Sequence, residues 1–330
     1  MQLKDFVGQK SAKQNLELLL AAHKKGRVLP HLLFAGAAGS GKTSLAHIVA
    51  EHIGAELVYL NGAAITSTIV FRQPIAEAIK AEGKDKTFLV VIDEAHNLPK
   101  KIQELLLSAL EKPAILCTVA HKNIRLSNGC LINKGDIIKE KLPQNITFVL
   151  CTTEKSMLSD TLLTRLHTIY LSEYSLDEKV ETIKNRLVLE DVKCDDIRAI
   201  ETIAQSTKGM RHLQKVCDRL KDYIVAHDIQ TFTVQDAEKL LDILGIDHNG
   251  CEEIDRNYLK YLSNKDTVSL SNIARFLNIQ EQEVKSKVEP FLIKKDWITI
   301  GPRGRKLTVT GQQLYGKTSM DDIMEMLDLI

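Results

Sequence analysis

The sequence predicts an α/β fold in its first half, a parallel sheet covered by helices on both faces, followed by a helical lid domain and a C-terminal winged-helix domain. Three observations carry that prediction. Between Asn15 and about Thr153, short β-branched apolar runs alternate with helical stretches. Residues 176–245 read as helices only. From residue 248 onward, three short helices lead into two β-type arms around a Gly/Pro/Arg turn.

The apolar runs are HLLFAG (31–36), ELVYLNG (56–62), FLVVIDE (88–94) and ITFVLCTT (146–153). Strands of this length, apolar on both faces and separated by helices, belong to a buried parallel sheet. The helical stretch is broken at KCDD (193–196) and DIQTFT (228–233). The arms lie in WITIGPRGRKLTVTG (297–311), and a three-helix unit ending in a β-hairpin is the pattern of a winged helix. The expected boundaries are 1–172 for the sheet domain, 173–247 for the lid, 248–316 for the winged helix and 317–330 for an acidic tail. In that tail Ile323, Met324, Leu327 and Ile330 could form one helical face for a partner's groove, and a partly disordered terminus is the alternative.

Composition excludes several classes. A chain of 330 residues that is 44% hydrophobic and 26% charged suits two or three globular domains. No apolar run approaches the roughly 20 residues of a membrane span, and MQLKDFVGQK lacks a signal-peptide core, so a membrane role is not expected. The six cysteines are widely spaced with no C-x-x-C pair, which speaks against zinc or a disulfide framework and for a cytoplasmic protein. Net charge is +1, so contact with nucleic acid has to come from a local patch.

The chemistry starts at GAAGSGKT (36–43), which fits G-x-x-x-x-G-K-[ST] between a strand and a helix. Gly36, Gly39 and Gly41 let backbone N–H groups face phosphate oxygens, and the helix N-terminus, with Ser44 in its first turn, adds positive potential. Lys42 is expected on the β- and γ-phosphates of ATP and the Thr43 hydroxyl on Mg²⁺. The second half is FLVVIDEAHNL (88–98), a strand that delivers two acids at its carboxyl end. Asp93 is expected to hold the magnesium and Glu94 to polarise the attacking water. The letters DEAH also name a helicase class, but no second helicase core accompanies them, and His96 reads as a helix-start residue.

A kinase of similar fold would need an acceptor site and an arginine-rich lid. Instead FVLCTTE (148–154) is a further strand ending in polar residues, with Thr153 placed for the γ-phosphate or the water. Arg165, in SDTLLTRLHTIYL, stands just before a short strand and suits projection into a neighbouring subunit's site. Arg211, in STKGMRHLQKV, opens a helix of the second domain, from which it could report the phosphate state.

Loop, D-E strand, T-T strand, L-x-x-R and G-x-R helix, in that order, resemble the AAA+ ATPases, and more closely the RuvB family of Holliday-junction branch-migration motors. DFVGQKSAKQNLELLLAAHKKG resembles that family's amino-terminal Y-I-G-Q segment, which implies Phe6 and Val7 beside the adenine. TTEKSMLSDTLLTRLHTIYLSEY resembles its finger region, LGIDHNGCEEIDRNYL its junction into the third domain, and GPRGRKLT its T-P-R-G-R wing. The resemblance covers about residues 5–312. It implies an ATP-hydrolysing hexameric ring on duplex or junction DNA, with Arg165 acting in trans, Arg211 as the lid sensor and the third domain on DNA.

Charge supports the last point independently. Between Lys285 and Lys306 seven basic residues face two acids, a net of +5. A tight GPRGR turn is expected to place Arg303 and Arg305, with Lys306 beside them, against phosphates or a minor groove. The chain departs from the family at G-A-A-G, where relatives carry G-P-P-G, and in the longer segment 112–142. There the family has a hairpin that docks on its partner RuvA, so this stretch is expected to meet a RuvA-type or other junction-binding protein, or else DNA lining the pore. An ATP-controlled switch that assembles on DNA and recruits partners is the alternative to a motor. A clamp loader fits less well, because it lacks a basic winged helix at this point.

Overall fold

The computed structural model describes residues 2–111, 115–119, 124–125, 131–132, 137–263 and 265–315. The acidic tail expected over 317–330 lies outside the described residues, as does much of 112–142. Two compact units result, Met1–Glu178 and Lys179–Ile330.

In the first unit, α1 (Lys10–Lys24) precedes β1 (Leu32–Gly36), α2 (Lys42–Ile53), β2 (Glu56–Asn61), α3 (Thr68–Glu82), β3 (Phe88–Asp93) and α4 (Lys100–Leu110). Four short strands follow in the 112–142 region: β4 (Ile115–Val119), β5 (Ile124–Arg125), β6 (Leu131–Ile132) and β7 (Ile137–Lys141). β4 pairs with β7 and β5 with β6, both antiparallel. Then come β8 (Ile146–Thr152), the short α5 (Asp160–Leu163) and β9 (His167–Leu171).

Among the described residues, β2, β3, β8, β1 and β9 lie side by side in that order as a parallel sheet. The central strands β1, β3 and β8 are buried along almost their whole length because both faces are covered, whereas the edge strands β2 and β9 expose Tyr59 and Tyr170. Pleating sends Leu33, Val90 and Phe148 to one face, into a core shared with α3 and α4, for example with Phe71, Ile75, Ile102 and Leu106. It sends Leu32, Phe34, Leu89, Val91 and Val149 to the other, against Leu16 and Leu20 of α1 and Leu45 and Val49 of α2.

The second unit starts inside α6 (Leu176–Leu189) and continues with α7 (Ile197–Gln205), α8 (Met210–Ala226) and α9 (Val234–Ile243). Asp196 opens α7, and Thr233 with Asp236 forms a reciprocal capping box on α9. The winged-helix region has α10 (Glu253–Ser263), α11 (Leu270–Leu277), α12 (Glu281–Glu283), a π-turn at Val284–Val288 and α13 (Glu289–Lys294). It ends in the hairpin β10 (Ile298–Gly301) and β11 (Gly304–Leu307), then α14 (Val309–Tyr315). Its core gathers Tyr258, Ile273, Val284, Leu292, Trp297 and Leu307.

Candidate nucleotide site and winged-helix interface

The site forms where parallel strands end, the edge at which ligands of such sheets bind. β1 runs into the phosphate loop, and Gly41 caps α2 with φ +94, a left-handed conformation only glycine adopts without strain. A side chain at Gly41 would also meet the Phe6 ring, since a Cβ there would lie 2.4 Å from Cζ of Phe6. Phe6 is thus buried directly on the loop, with Val7 half-buried beside it. Gly36 is held close to β9, where a Cβ would fall 2.5 Å from the Leu171 carbonyl oxygen. Lys42 is buried and its Nζ donates to the carbonyls of Gly36 (2.9 Å) and Ala37 (2.8 Å), so the ammonium lies across the loop. Ser44 is exposed in the first turn of α2.

Sequence reasoning missed a brace around this loop. Gln9, itself at φ 53, donates from Nε2 to the Ser172 carbonyl at 2.7 Å and accepts from the Ser172 N–H at 3.0 Å. The same amide reaches the Ser40 carbonyl at 3.4 Å. Gln9 therefore ties the amino-terminal segment to both the loop and the end of β9.

Thr43 and Asp93, 50 positions apart, meet here: Thr43 Oγ1 donates to Asp93 Oδ2 at 2.8 Å. Tyr59 of β2 donates to the same oxygen at 2.8 Å, a contact the motifs did not reveal because Tyr59 reads as an ordinary strand residue. Burial, and then the hydrogen bond to Asp93, push the Tyr59 phenol up to about 12, so it stays protonated and donating. A hydroxyl and a carboxylate held together beside a phosphate loop are the hard oxygen donors that Mg²⁺ bound to a nucleoside triphosphate requires.

Glu94 follows at φ 49, turning the chain out of β3 so that its half-exposed carboxylate leaves the strand line. His96, expected to start a helix, lies in a short 3₁₀ turn (Ala95–Asn97) and there stands between two strand ends. Its Nε2 lies 3.4 Å from Glu94 Oε2 and its Nδ1 3.3 Å from the Thr152 hydroxyl. Thr152 is buried at the end of β8, whereas Thr153 is the next, exposed residue.

Arg165 sits at the other end of the sheet. β9 pairs with β1 from His167 opposite Leu32 to Leu171 opposite Gly36. Arg165 precedes the first of these pairs and the phosphate loop follows the last, so roughly 13 Å of strand lies between them. It does not face the loop of its own chain. Arg211 is the second residue of α8 in the second unit and is exposed.

The wing requires one correction. Arg303 occupies the two-residue turn between β10 and β11 and is exposed, as is Lys306. Arg305, expected on DNA with them, points inward. Strand alternation puts Arg305 on the same face as buried Leu307 and Lys306 on the opposite one. Arg305 Nε donates to Glu289 Oε1 at 2.7 Å, the pair is 13% and 3% exposed, and Tyr258 donates to the same carboxylate oxygen at 3.1 Å. Its hydrogen bond to the Glu289 carboxylate raises the Arg305 pKa, so the guanidinium stays charged there.

No helix among the described residues is long and apolar enough to cross a membrane. Comparison with known proteins agrees with the geometry. The model of the Holliday junction DNA helicase RuvB P-loop domain matches residues 1–171, and that of the RuvB C-terminal winged helix domain matches residues 248–316. The Holliday junction branch migration complex subunit RuvB of Mycoplasmopsis pulmonis is 30% identical over 313 residues, 93% of this chain and 94% of that protein. The Thermotoga maritima subunit of the same name is 31% identical, over 93% of this chain and 88% of its own length. A solved structure, the Thermotoga maritima RuvB Holliday junction branch migration motor, matches with a TM-score of 0.73 at 27% identity, covering 96% of this chain and 98% of that one. Matched over its P-loop and winged-helix domains, and 30% identical to a curated relative across 93% of its length, this chain belongs to the RuvB family.

Proposed function

We propose that the chain is an ATP-hydrolysing, hexameric DNA motor that translocates duplex DNA and drives Holliday-junction branch migration. The observation that carries the reading is the Thr43–Asp93 contact with Glu94 next to it at the carboxyl edge of the sheet. In this reading Phe6 and Val7 hold the base, and Gly36, Gly39, Gly41, Lys42 and Ser44 surround the phosphates. Thr43 and Asp93 hold Mg²⁺, which when bound neutralises phosphate charge. Glu94 polarises the attacking water, with Thr153 orienting it. Arg165 enters the site of the adjacent subunit, and Arg211, on the lid (173–247), reports the phosphate state. Arg303 and Lys306 contact the DNA backbone from the winged helix (248–316). The hairpin over 112–142 is the surface for a RuvA-type or other junction-binding partner, and the whole acts in the cytoplasm.

The test is a four-way-junction branch-migration assay with purified chain, Mg²⁺ and ATP, with and without a RuvA-type partner. Strand movement in proportion to ATP consumed supports a motor. Binding and release of DNA without movement would instead assign an ATP-controlled switch. Glu94→Gln is expected to lower hydrolysis by about 10²–10⁴-fold while leaving ATP binding intact. Hydrolysis at the wild-type rate would remove Glu94 from its role.

A further inference from the structure

The guanidinium of Arg165 is already held in place. Its Nε and Nη2 donate to Glu111 Oε1 at 3.1 and 2.7 Å, and its Nη1 donates to the Thr161 carbonyl at 2.8 Å. An arginine has five N–H groups in a rigid fork. Three therefore have partners among the described residues, and one hydrogen on each terminal nitrogen remains for an incoming anion. Glu111 is the residue that ends α4, the helix that starts a few residues after Asp93 and Glu94. It also directly precedes the 112–142 segment. Beside the pair opens a cleft of about 720 Å³, lined among others by Val28, Pro30, Leu110, Leu142, Glu111 and Arg165.

We propose that Glu111 is a positioning residue for Arg165: its carboxylate pre-orients the finger that acts on a neighbouring subunit's nucleotide. The inference rests on the trans role of Arg165 proposed above. A free arginine samples many rotamers, and each encounter with a phosphate would have to freeze them. An acceptor on the far edge of the fork removes most of that freedom beforehand, and preorganised charge is what stabilises a phosphoryl-transfer transition state. Thr161 alone contacts only one nitrogen, so it does not fix the plane. Glu111 contacts two and does.

The experiment uses the full chain assembled on duplex DNA with Mg²⁺ and ATP, comparing Glu111→Ala, Glu111→Gln, Glu111→Asp, Arg165→Ala and the Glu111→Ala/Arg165→Ala double variant. Glu111→Ala and Glu111→Gln are expected to lower kcat between about 10- and 100-fold, with KM for ATP changed less than about twofold. Glu111→Asp should recover part of the loss, and Glu111→Ala should add nothing once Arg165 is alanine. A wild-type kcat in Glu111→Gln alongside a strong loss in Arg165→Ala overturns the inference and leaves the trans finger standing. So does a Glu111→Ala penalty that persists undiminished in the double variant, which would mark a purely structural role. Full kcat in Arg165→Ala would overturn the trans reading itself. The isosteric Gln variant keeps the result readable if the alanine protein assembles poorly.

Discussion

Arg305 and Glu289 form a buried ion pair, Nε to Oε1 at 2.7 Å, that pins the second wing strand to the start of α13. The two wing arginines therefore have different tasks. Arg305→Ala should destabilise the winged helix by about 3–5 kcal/mol, because it leaves a buried carboxylate without its cation. Arg303→Ala should leave the melting temperature unchanged, weaken duplex binding and reduce the salt slope by about one. Thermal unfolding and salt-dependent binding of the two variants separate these outcomes. Equal effects of both on DNA binding, with no change in stability, would return Arg305 to the DNA.

A second buried group joins the lid to the winged helix inside the second unit. Lys208 Nζ lies 2.5 Å from both Asp255 and Glu252, with Asp255 fully buried. Burial opposes the charge on Lys208, but the hydrogen bonds to Asp255 and Glu252 outweigh it and raise its pKa. Burial likewise opposes the charge on Glu252, and the Lys208 hydrogen bond outweighs it, lowering that pKa. The raised lysine contributes fully below its ordinary value and loses its contribution as pH rises through the folded one. The depressed glutamate contributes above its ordinary value and loses it as pH falls through the folded one. The Lys208 and Glu252 contributions should both be full between about pH 5 and 10, whereas Asp255, whose pKa burial raises, opposes folding once it ionises. Lys208→Met should remove about 3–5 kcal/mol across that window, measured by denaturant unfolding, and separate wing from lid in hydrogen exchange.

Gly62 fits under the turn that carries the two acids. A Cβ there would lie 2.4 Å from the Glu94 carbonyl oxygen and 3.1 Å from that of Asp93. Gly62→Ala is expected to displace the turn and lower kcat between about 10- and 100-fold, with ATP affinity near wild type. A kcat within twofold of wild type would mean the turn tolerates the shift.

Tyr59 should tune the cation site through Asp93. Tyr59→Phe is expected to raise the Mg²⁺ concentration for half-maximal hydrolysis by about tenfold. Nucleotide binding without Mg²⁺ should be unaffected, and an unchanged Mg²⁺ titration would show that the phenol does not act on the cation.

What could be read from the chain was whatever is local or periodic. HLLFAG, FLVVIDE and ITFVLCTT became the central strands because runs that are apolar on both faces fit a covered parallel sheet, and ELVYLNG joined them as an edge strand that exposes Tyr59. GAAGSGKT was legible because its glycines answer a backbone requirement within eight residues. Glu111, Tyr59, His96 and Gln9 were not, since each acts through a partner brought near only by folding, as with Glu111 and Arg165 54 positions apart. Arg305 misled for a different reason. A basic residue in a glycine-proline turn looks exposed until strand alternation is counted back from Leu307, and its counter-ion Glu289 is 16 residues away.

The parallel sheet places the phosphate loop beyond Gly36 at one end and Arg165 at the opposite end. In the trans role proposed above for Arg165, a socket and a plug at opposite ends of one sheet would not both be met by a two-fold handshake, in which identical patches face each other. That role would demand head-to-tail stacking, each copy giving to the next and receiving from the one behind. Such a series has a direction built into every joint, and unless it closes on itself it leaves one copy unserved and one arginine idle.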